Sequence, residues 1–124
     1  MLVPQLYLNG ACSEAIELYK KAFKSEIDSI MYDSEKEPGK FVIHAEMHIL
    51  GTRLMLSDSG GTNESSVDST MEIVAVFENK EVLREAYQVI NDGSETIIPM
   101  GPIFFSDCLV SFVDKFGVRW CFMV

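Results

Sequence analysis

The chain has 124 residues, 48% of them hydrophobic and 23% charged, and a formal net charge of −9. That length favours one compact domain with a core that needs no staples, and that apolar content excludes disorder. With 19 acids against 10 bases and no basic block, nucleic-acid and anionic-membrane partners are disfavoured.

No apolar run approaches the ~20 residues that span a bilayer. The start, MLVPQLYLNG, lacks the basic and apolar regions of a secretory signal. The 3 cysteines, Cys12, Cys108 and Cys121, contain no CxxC, which fits reduced thiols in a cytoplasmic protein.

In chain order, a strand is predicted over 2–8, followed by an Asn9-Gly10 turn. Ser13 is a start signal for an amphipathic helix whose apolar stripe is Ala15, Ile16, Leu18, Tyr19, Ala22 and Phe23. Strands follow over 26–33, 41–50 and 53–58, with Gly51-Thr52 as a hairpin gap between the last two. Residues 59–70, SGGTNESSVDST, read as a linker, with a flap over a site as the sharper alternative. The glycine pair there opens no helix and lacks Gly-Lys-Ser/Thr, so it is no phosphate loop.

The second half runs alike. After a strand over 71–77, Asn79 is a candidate N-cap for a helix with the stripe Val82, Leu83, Ala86, Tyr87 and Ile90. Asn91-Asp92-Gly93 stops it, and strands follow over 95–99, 108–114 and 118–124. A shift of 67 residues carries Glu14-Ala15-Ile16 onto Glu81-Val82-Leu83. The order β-α-β-β-β therefore occurs twice, over about 1–58 and 71–124, as an internal repeat within one domain.

Strand 41–50 carries the most chemistry. By alternation, Phe41, Ile43, Ala45, Met47 and Ile49 share an apolar face that should meet the helices. Val42, His44, Glu46, His48 and Leu50 share the other. His44 and Glu46 lie about 6.6 Å apart along the strand, close enough to converge on one ion, whereas His48 is about 13 Å from His44. A third ligand would have to come from elsewhere, Asp58 or Glu72. The alternative is a set of polar residues on a half-solvated sheet face.

Arg119 and Cys121 alternate to one face, so a lowered thiol pKa at Cys121 is weighed against a packed, inert cysteine. Cys12 near a helix start poses the same choice, and Cys108 reads as core. The segment 97–106, IIPMGPIFFS, puts Phe104-Phe105 in a loop, as walls for an apolar ligand, a dimer contact or a satellite core cluster. In DKFG, Asp114 and Gly117 suit a tight turn, and Trp120 then packs on a helix.

The chain resembles the vicinal oxygen chelate superfamily, which includes glyoxalase I, extradiol dioxygenases and bleomycin-resistance proteins. Within it the chain is most similar to the PhnB-like group, whose members often carry a mistaken label as 3-demethylubiquinone-9 3-methyltransferases. The resemblance rests on Tyr7-Leu8-Asn9-Gly10, Glu14 to Lys20 (EAIELYK), His44-Ala45-Glu46, Leu54-Met55-Leu56-Ser57-Asp58 and Asp114 to Trp120 (DKFGVRW). It spans essentially the whole chain, and DKFGVRW is its most specific piece.

The resemblance implies an α+β fold of two half-open sheets around a cleft, helices packed outside, and a homodimer. It places metal ligands of the superfamily at Pro4 or Gln5, Met55, Glu72 and Cys121, of which at most Glu72 and Cys121 suit a metal. Glyoxalase chemistry also wants a carboxylate where Cys121 stands. The expected function is binding of a small organic molecule in a cleft bounded by Val42, His44, Glu46, His48, Glu72, Arg119, Cys121, Phe104 and Phe105. The alternative is a metal-dependent lyase, isomerase or dioxygenase with a divalent ion at His44, Glu46 and Glu72. A dimer without ligand is a third class. A methyltransferase is disfavoured, because no glycine-rich strand-to-helix loop is present.

Overall fold

The computed structural model describes residues 1–33, 35, 39–62, 64 and 66–124. The chain forms two compact units, Met1–Asn63 and Glu64–Val124.

The first unit contains β1 (Gln5–Tyr7), α1 (Cys12–Phe23), β2 (Ile27–Tyr32), β3 (Val42–Ile49) and β4 (Thr52–Ser57). Its sheet has the order β1-β4-β3-β2, with β1 parallel to β4 and the other pairs antiparallel. The second unit contains β5 (Ile73–Val76), α2 (Lys80–Ile90), β6 (Glu95–Ile103), β7 (Ser106–Val113) and β8 (Arg119–Met123). Its sheet repeats the plan as β5-β8-β7-β6, with β5 parallel to β8. The expected eight strands, two helices and duplicated β-α-β-β-β order are all present, and the fold is α+β.

Both helices bury most of the stripes their sequences predict, with Leu18, Val82 and Tyr87 only half-buried. In α1 the buried side chains are Cys12, Ala15, Ile16, Tyr19, Ala22 and Phe23, and in α2 they are Leu83, Ala86 and Ile90. Asn79 caps α2 by accepting the Val82 N–H at 2.9 Å. Ser13 does not cap α1. The helix begins at Cys12 and has no side-chain cap from its own neighbourhood. Its first N–H is met from across the unit: Asp58, buried at the end of β4, accepts the Cys12 N–H through Oδ1 at 2.8 Å and the Val42 N–H through Oδ2 at 2.9 Å. A buried carboxylate at a helix N-terminus satisfies two groups and complements the dipole.

Strand β3 departs from simple alternation at its start. Val42 and Ala45, three residues apart, are both fully buried, while Ile43 between them is 41% exposed. The register shows why: Met31 faces His44 and Tyr32 faces Val42, leaving Ile43 as the extra residue of a β-bulge. Ser57 Oγ donates to the Ile43 carbonyl at 2.8 Å, and the Asp58 N–H donates to the Val42 carbonyl at 2.9 Å, so the bulge is anchored to the end of β4. Val42 therefore belongs to the core and Ile43 does not, reversing the expectation for both.

The β3–β4 turn is Leu50-Gly51, one residue earlier than expected, because Ile49 pairs with Thr52. Both turn residues have positive φ, +50° at Leu50 and +81° at Gly51, as a two-residue hairpin of the primed type requires. A leucine in that conformation is strained by ~1–2 kcal/mol. Leu50→Asn should raise the thermal midpoint, with a gain of roughly 0.5–1 kcal/mol. A lowered midpoint would contradict the turn assignment.

The segment 97–106 is not a separate loop. Strand β6 runs through Pro99 and Pro102 to Ile103, and β7 starts at Ser106. Two prolines fit an edge strand that pairs only with β7, with register shifts along the pairing. The core of this unit is a cluster of rings: Phe122 lies 4.9 Å from Phe77, 5.0 Å from Phe112 and 6.0 Å from Trp120, by centroids. Asp114 accepts from the Phe116 and Val118 N–H groups through Oδ1 and from Trp120 Nε1 through Oδ2, at 2.9, 3.0 and 2.9 Å. The DKFG turn is thus built around one buried carboxylate.

The segment 59–70 is tied to its own unit at each end. Gly60 accepts the Asn9 N–H at 3.0 Å, and a Cβ on Gly61 would lie 2.3 Å from the Tyr7 carbonyl oxygen, so only glycine fits that approach. Ser66 Oγ donates to the Gly117 carbonyl at 2.5 Å. Residues 63 and 65 of this segment lie outside the described residues.

Candidate functional site

The bulge and the hairpin register together decide what stands on the open face of the first sheet. Beyond the bulge, Ala45, Met47 and Ile49 are buried, and His44, Glu46 and His48 alternate to the other side. The pairing places Arg53 of β4 opposite His48 and Met55 opposite Glu46. On the far side of β3, Ser29 of β2 faces Glu46.

These side chains bond to one another. Glu46 accepts the Arg53 Nε–H through Oε1, and its Oε2 lies 3.0 Å from His44 Nε2. His48 Nδ1 is paired with Asp28 Oδ2 at 2.5 Å. The Arg53 guanidinium, and after it the His44 ring, hold the Glu46 carboxyl below the usual carboxylate range, and Glu46 in turn raises Arg53. Glu46 is 22% exposed, against 38% for His44, 40% for Arg53 and 55% for His48, so the group is open to solutes. Arg53 and Asp28 were not expected here. Their part depends on register: a two-residue turn sets it for Arg53, and the irregular β2–β3 pairing sets it for Asp28.

In the second unit Glu72 and Arg119 meet, with Arg119 Nε donating to Glu72 Oε2 at 3.1 Å. Arg119 Nη1 donates to the carbonyls of Val67 and Ser69 at 2.9 and 2.8 Å. This guanidinium holds residues 67–69 against β8. Cys121 is buried, and burial followed by the Glu72 carboxylate pushes its thiol up, with Arg119 opposing only as the last influence. Cys12 is buried completely, and burial together with Asp58 pushes its thiol up to about 12. Raised thiols are the reverse of what a cysteine nucleophile needs. All 3 cysteines are buried and free, so the native protein should release almost no colour with a thiol-specific disulfide reagent at pH 8. The full complement should react once urea unfolds it. Fast reaction of one thiol in the native state would contradict this packing.

Phe104 and Phe105 form the β6–β7 hairpin tip, their rings 4.9 Å apart, and are 95% and 55% exposed. Such exposure is not that of a satellite core cluster.

The donor set at the metal positions implied by the family resemblance does not suit a divalent ion. In the parallel pairs Gln5 faces Met55 and Val74 faces Cys121, so the β5 residue standing to Cys121 as Gln5 stands to Met55 is Val74 and not Glu72. Amide, thioether, alkyl and protonated thiol make a poor site for such an ion. The alternative set fares no better: both Glu46 oxygens are engaged, one by a guanidinium that opposes any cation, and the Glu72 carboxylate is bonded to Arg119. Asp58 spends its oxygens on backbone N–H groups. Among the described residues no group of three or more His, Cys, Asp or Glu side chains could hold a metal ion.

No protein-family model matches the chain, and no curated protein matches it. Solved structures do. The PhnB protein from Bacillus cereus, which carries the 3-demethylubiquinone-9 3-methyltransferase label provisionally, superposes with a TM-score of 0.83 at 27% identity, over 98% of this chain and 97% of that one. A glyoxylase/bleomycin resistance protein/dioxygenase domain from Frankia sp. gives 0.64 at 14% identity, over 99% and 93%. The fosfomycin resistance protein FosX from Listeria monocytogenes, as its E126Q mutant complexed with Mn(II) and 1S,2S-dihydroxypropylphosphonic acid, gives 0.68 at 14%, over 100% and 91%. Matched from end to end by these structures and built of two β-α-β-β-β modules, the chain has the fold of the vicinal oxygen chelate superfamily, with a PhnB protein among its structural neighbours.

Proposed function

We propose that the chain binds a small organic molecule on the open face of its first sheet, with His44, Glu46, His48 and Arg53 as the polar contacts. One observation carries this reading. Each of these partly exposed side chains is held by a neighbour, Glu46 between His44 and Arg53 and His48 by Asp28, so their directions are set before any ligand arrives. A neighbour of the same fold holding a small organic acid supports it.

The second-unit candidates take other roles. Glu72 and Arg119 strap residues 67–69, Cys121 is a packed thiol, and Phe104 and Phe105 offer apolar surface. A resident divalent metal forms no part of this reading, because the available donors do not fit one. The reading makes the chain a cytoplasmic homodimer. Three free, buried thiols agree with a reducing compartment, and among the described residues no helix is long and apolar enough to cross a membrane.

The test is protein-observed NMR on the isotope-labelled full chain against a fragment set of acids, amides, amines and neutral rings. Saturable shifts centred on His44, Glu46, His48 and Arg53 are expected. Shifts confined to the second unit would overturn the proposal. Native mass spectra before and after Zn²⁺, Ni²⁺, Mn²⁺ and Fe²⁺ should show a dimer without a stoichiometric tight metal. One metal per chain, lost in His44→Ala, would favour the metal-dependent alternative.

A further inference from the structure

We propose that this face recognises an oxyanion, the carboxylate or phospho group of a small organic acid, through the two terminal nitrogens of Arg53. The proposal rests on the first sheet's open face being the binding surface, and it adds the ligand class and the contacting residue.

Arg53 is the only lysine or arginine in the four strands of the first sheet. Its Nε–H is taken by Glu46 Oε1, so the carboxylate holds the guanidinium by the edge nearest the chain. Among the described residues nothing accepts from Nη1 or Nη2, and the side chain is 40% exposed. What remains outward is the end of the fork, whose parallel N–H groups match two oxygens of a carboxylate or phosphate.

Glu46 cannot serve a ligand in the same way. A carboxylate has no N–H to offer an anion, and its two oxygens are bonded to Arg53 and His44, which fixes it in place. Glu46 is a positioning residue and Arg53 the contacting one. His48, directly opposite Arg53, has Nδ1 on Asp28 and its Nε2 without a partner among the described residues, which supplies a second polar contact beside the fork. The second unit offers a contrast. Arg119 also pairs with a glutamate through Nε, but its Nη1 is spent on two carbonyls, so it is a strap where Arg53 is an open fork. A chain of charge −9 repels anions at long range, so recognition here is by short-range hydrogen bonds and not by a basic field.

The experiment titrates acetate, methylphosphonate and acetamide separately into the labelled full chain at constant ionic strength. It reads the Arg53 Nε–H signal and the ring signals of His44 and His48. Acetate or methylphosphonate should shift them saturably, and acetamide, the neutral analogue of acetate, should not. The two anions distinguish a carboxylate from a phospho ligand.

Arg53→Ala should weaken binding at least tenfold. Arg53→Lys, which keeps the charge and loses the fork, should recover only part of that. Glu46→Gln removes a negative charge beside the anion, so electrostatics alone would tighten binding, whereas loss of positioning weakens it. Weakening is expected. Unchanged signals from α1 and from Ala45, Met47 and Leu56, buried in the same unit, show that each variant is folded. Saturation by acetamide without any effect of the anions would overturn the oxyanion and leave the binding face standing. Silence of the face to all three probes would also overturn the oxyanion, and the broader fragment set then decides the face itself.

Discussion

Asp58→Ala should destabilise the first unit by roughly 3 kcal/mol, from two charge-assisted hydrogen bonds lost and two buried N–H groups left without acceptors. Asp58 is 4% exposed and joins three pieces of backbone: the start of α1 at Cys12, the start of β3 at Val42, and its own strand end through the bond to the Val42 carbonyl. No local side chain replaces it, because α1 has no cap of its own. Urea unfolding should show a lower midpoint with an unchanged slope. Asp58→Asn, which keeps one acceptor oxygen, should fall between. Hydrogen exchange at Cys12 and Val42 should quicken more than at α2, which lies in the other unit. A loss below about 1 kcal/mol would mean that water replaces the carboxylate, contrary to a buried site.

Trp120→Ala should cost the second unit about 3–5 kcal/mol, the range for deleting a large buried aromatic. Trp120 is 1% exposed, lies 6.0 Å from the Phe122 ring and donates Nε1–H to Asp114 Oδ2 at 2.9 Å. The substitution therefore opens a cavity and also removes a donor from a buried carboxylate that organises the DKFG turn. Trp120→Phe keeps much of the apolar volume and should cost clearly less. Trp120 is the single tryptophan, so wild-type unfolding can be followed by its fluorescence, and the variants must be followed by circular dichroism. Equal losses for the Ala and Phe variants would show that the hydrogen bond, not the packing, carries the effect.

Each unit ends a central strand near a buried aspartate whose oxygens are spent on backbone and indole donors. Asp58, weighed as a third metal ligand, and Asp114, expected in a tight turn, are thus both frame residues. The half-exposed Glu46, held between His44 and Arg53, is the one placed to shape a binding surface.

Most of the architecture was legible in the residues. Period-3.6 stripes marked both helices, apolar segments bounded by turn residues marked all eight strands, and the duplicated order pointed to the fold. These signals are local: a helix stripe or a strand run is written in consecutive residues and survives whatever packs on it. The faces of β3 were only half legible. The alternation His44, Glu46, His48 holds, but the bulge at Ile43 exchanges Val42 for Ile43, and a bulge is stabilised by distant partners, here Ser57 and Asp58.

The site residue that mattered most was hidden by one position. A turn at Gly51-Thr52 would place Arg53 opposite Leu50, whereas the turn at Leu50-Gly51 places it opposite His48 and within reach of Glu46. Moving a turn by one residue moves the pairing by two, and nothing in the composition of either strand records that choice. The sequence by itself determined the element types, their order and the apolar stripes, because those follow from the chain's own periodicity. The tertiary structure alone decided which polar groups meet, because register, bulges and remote caps are settled by contacts between residues far apart in the chain.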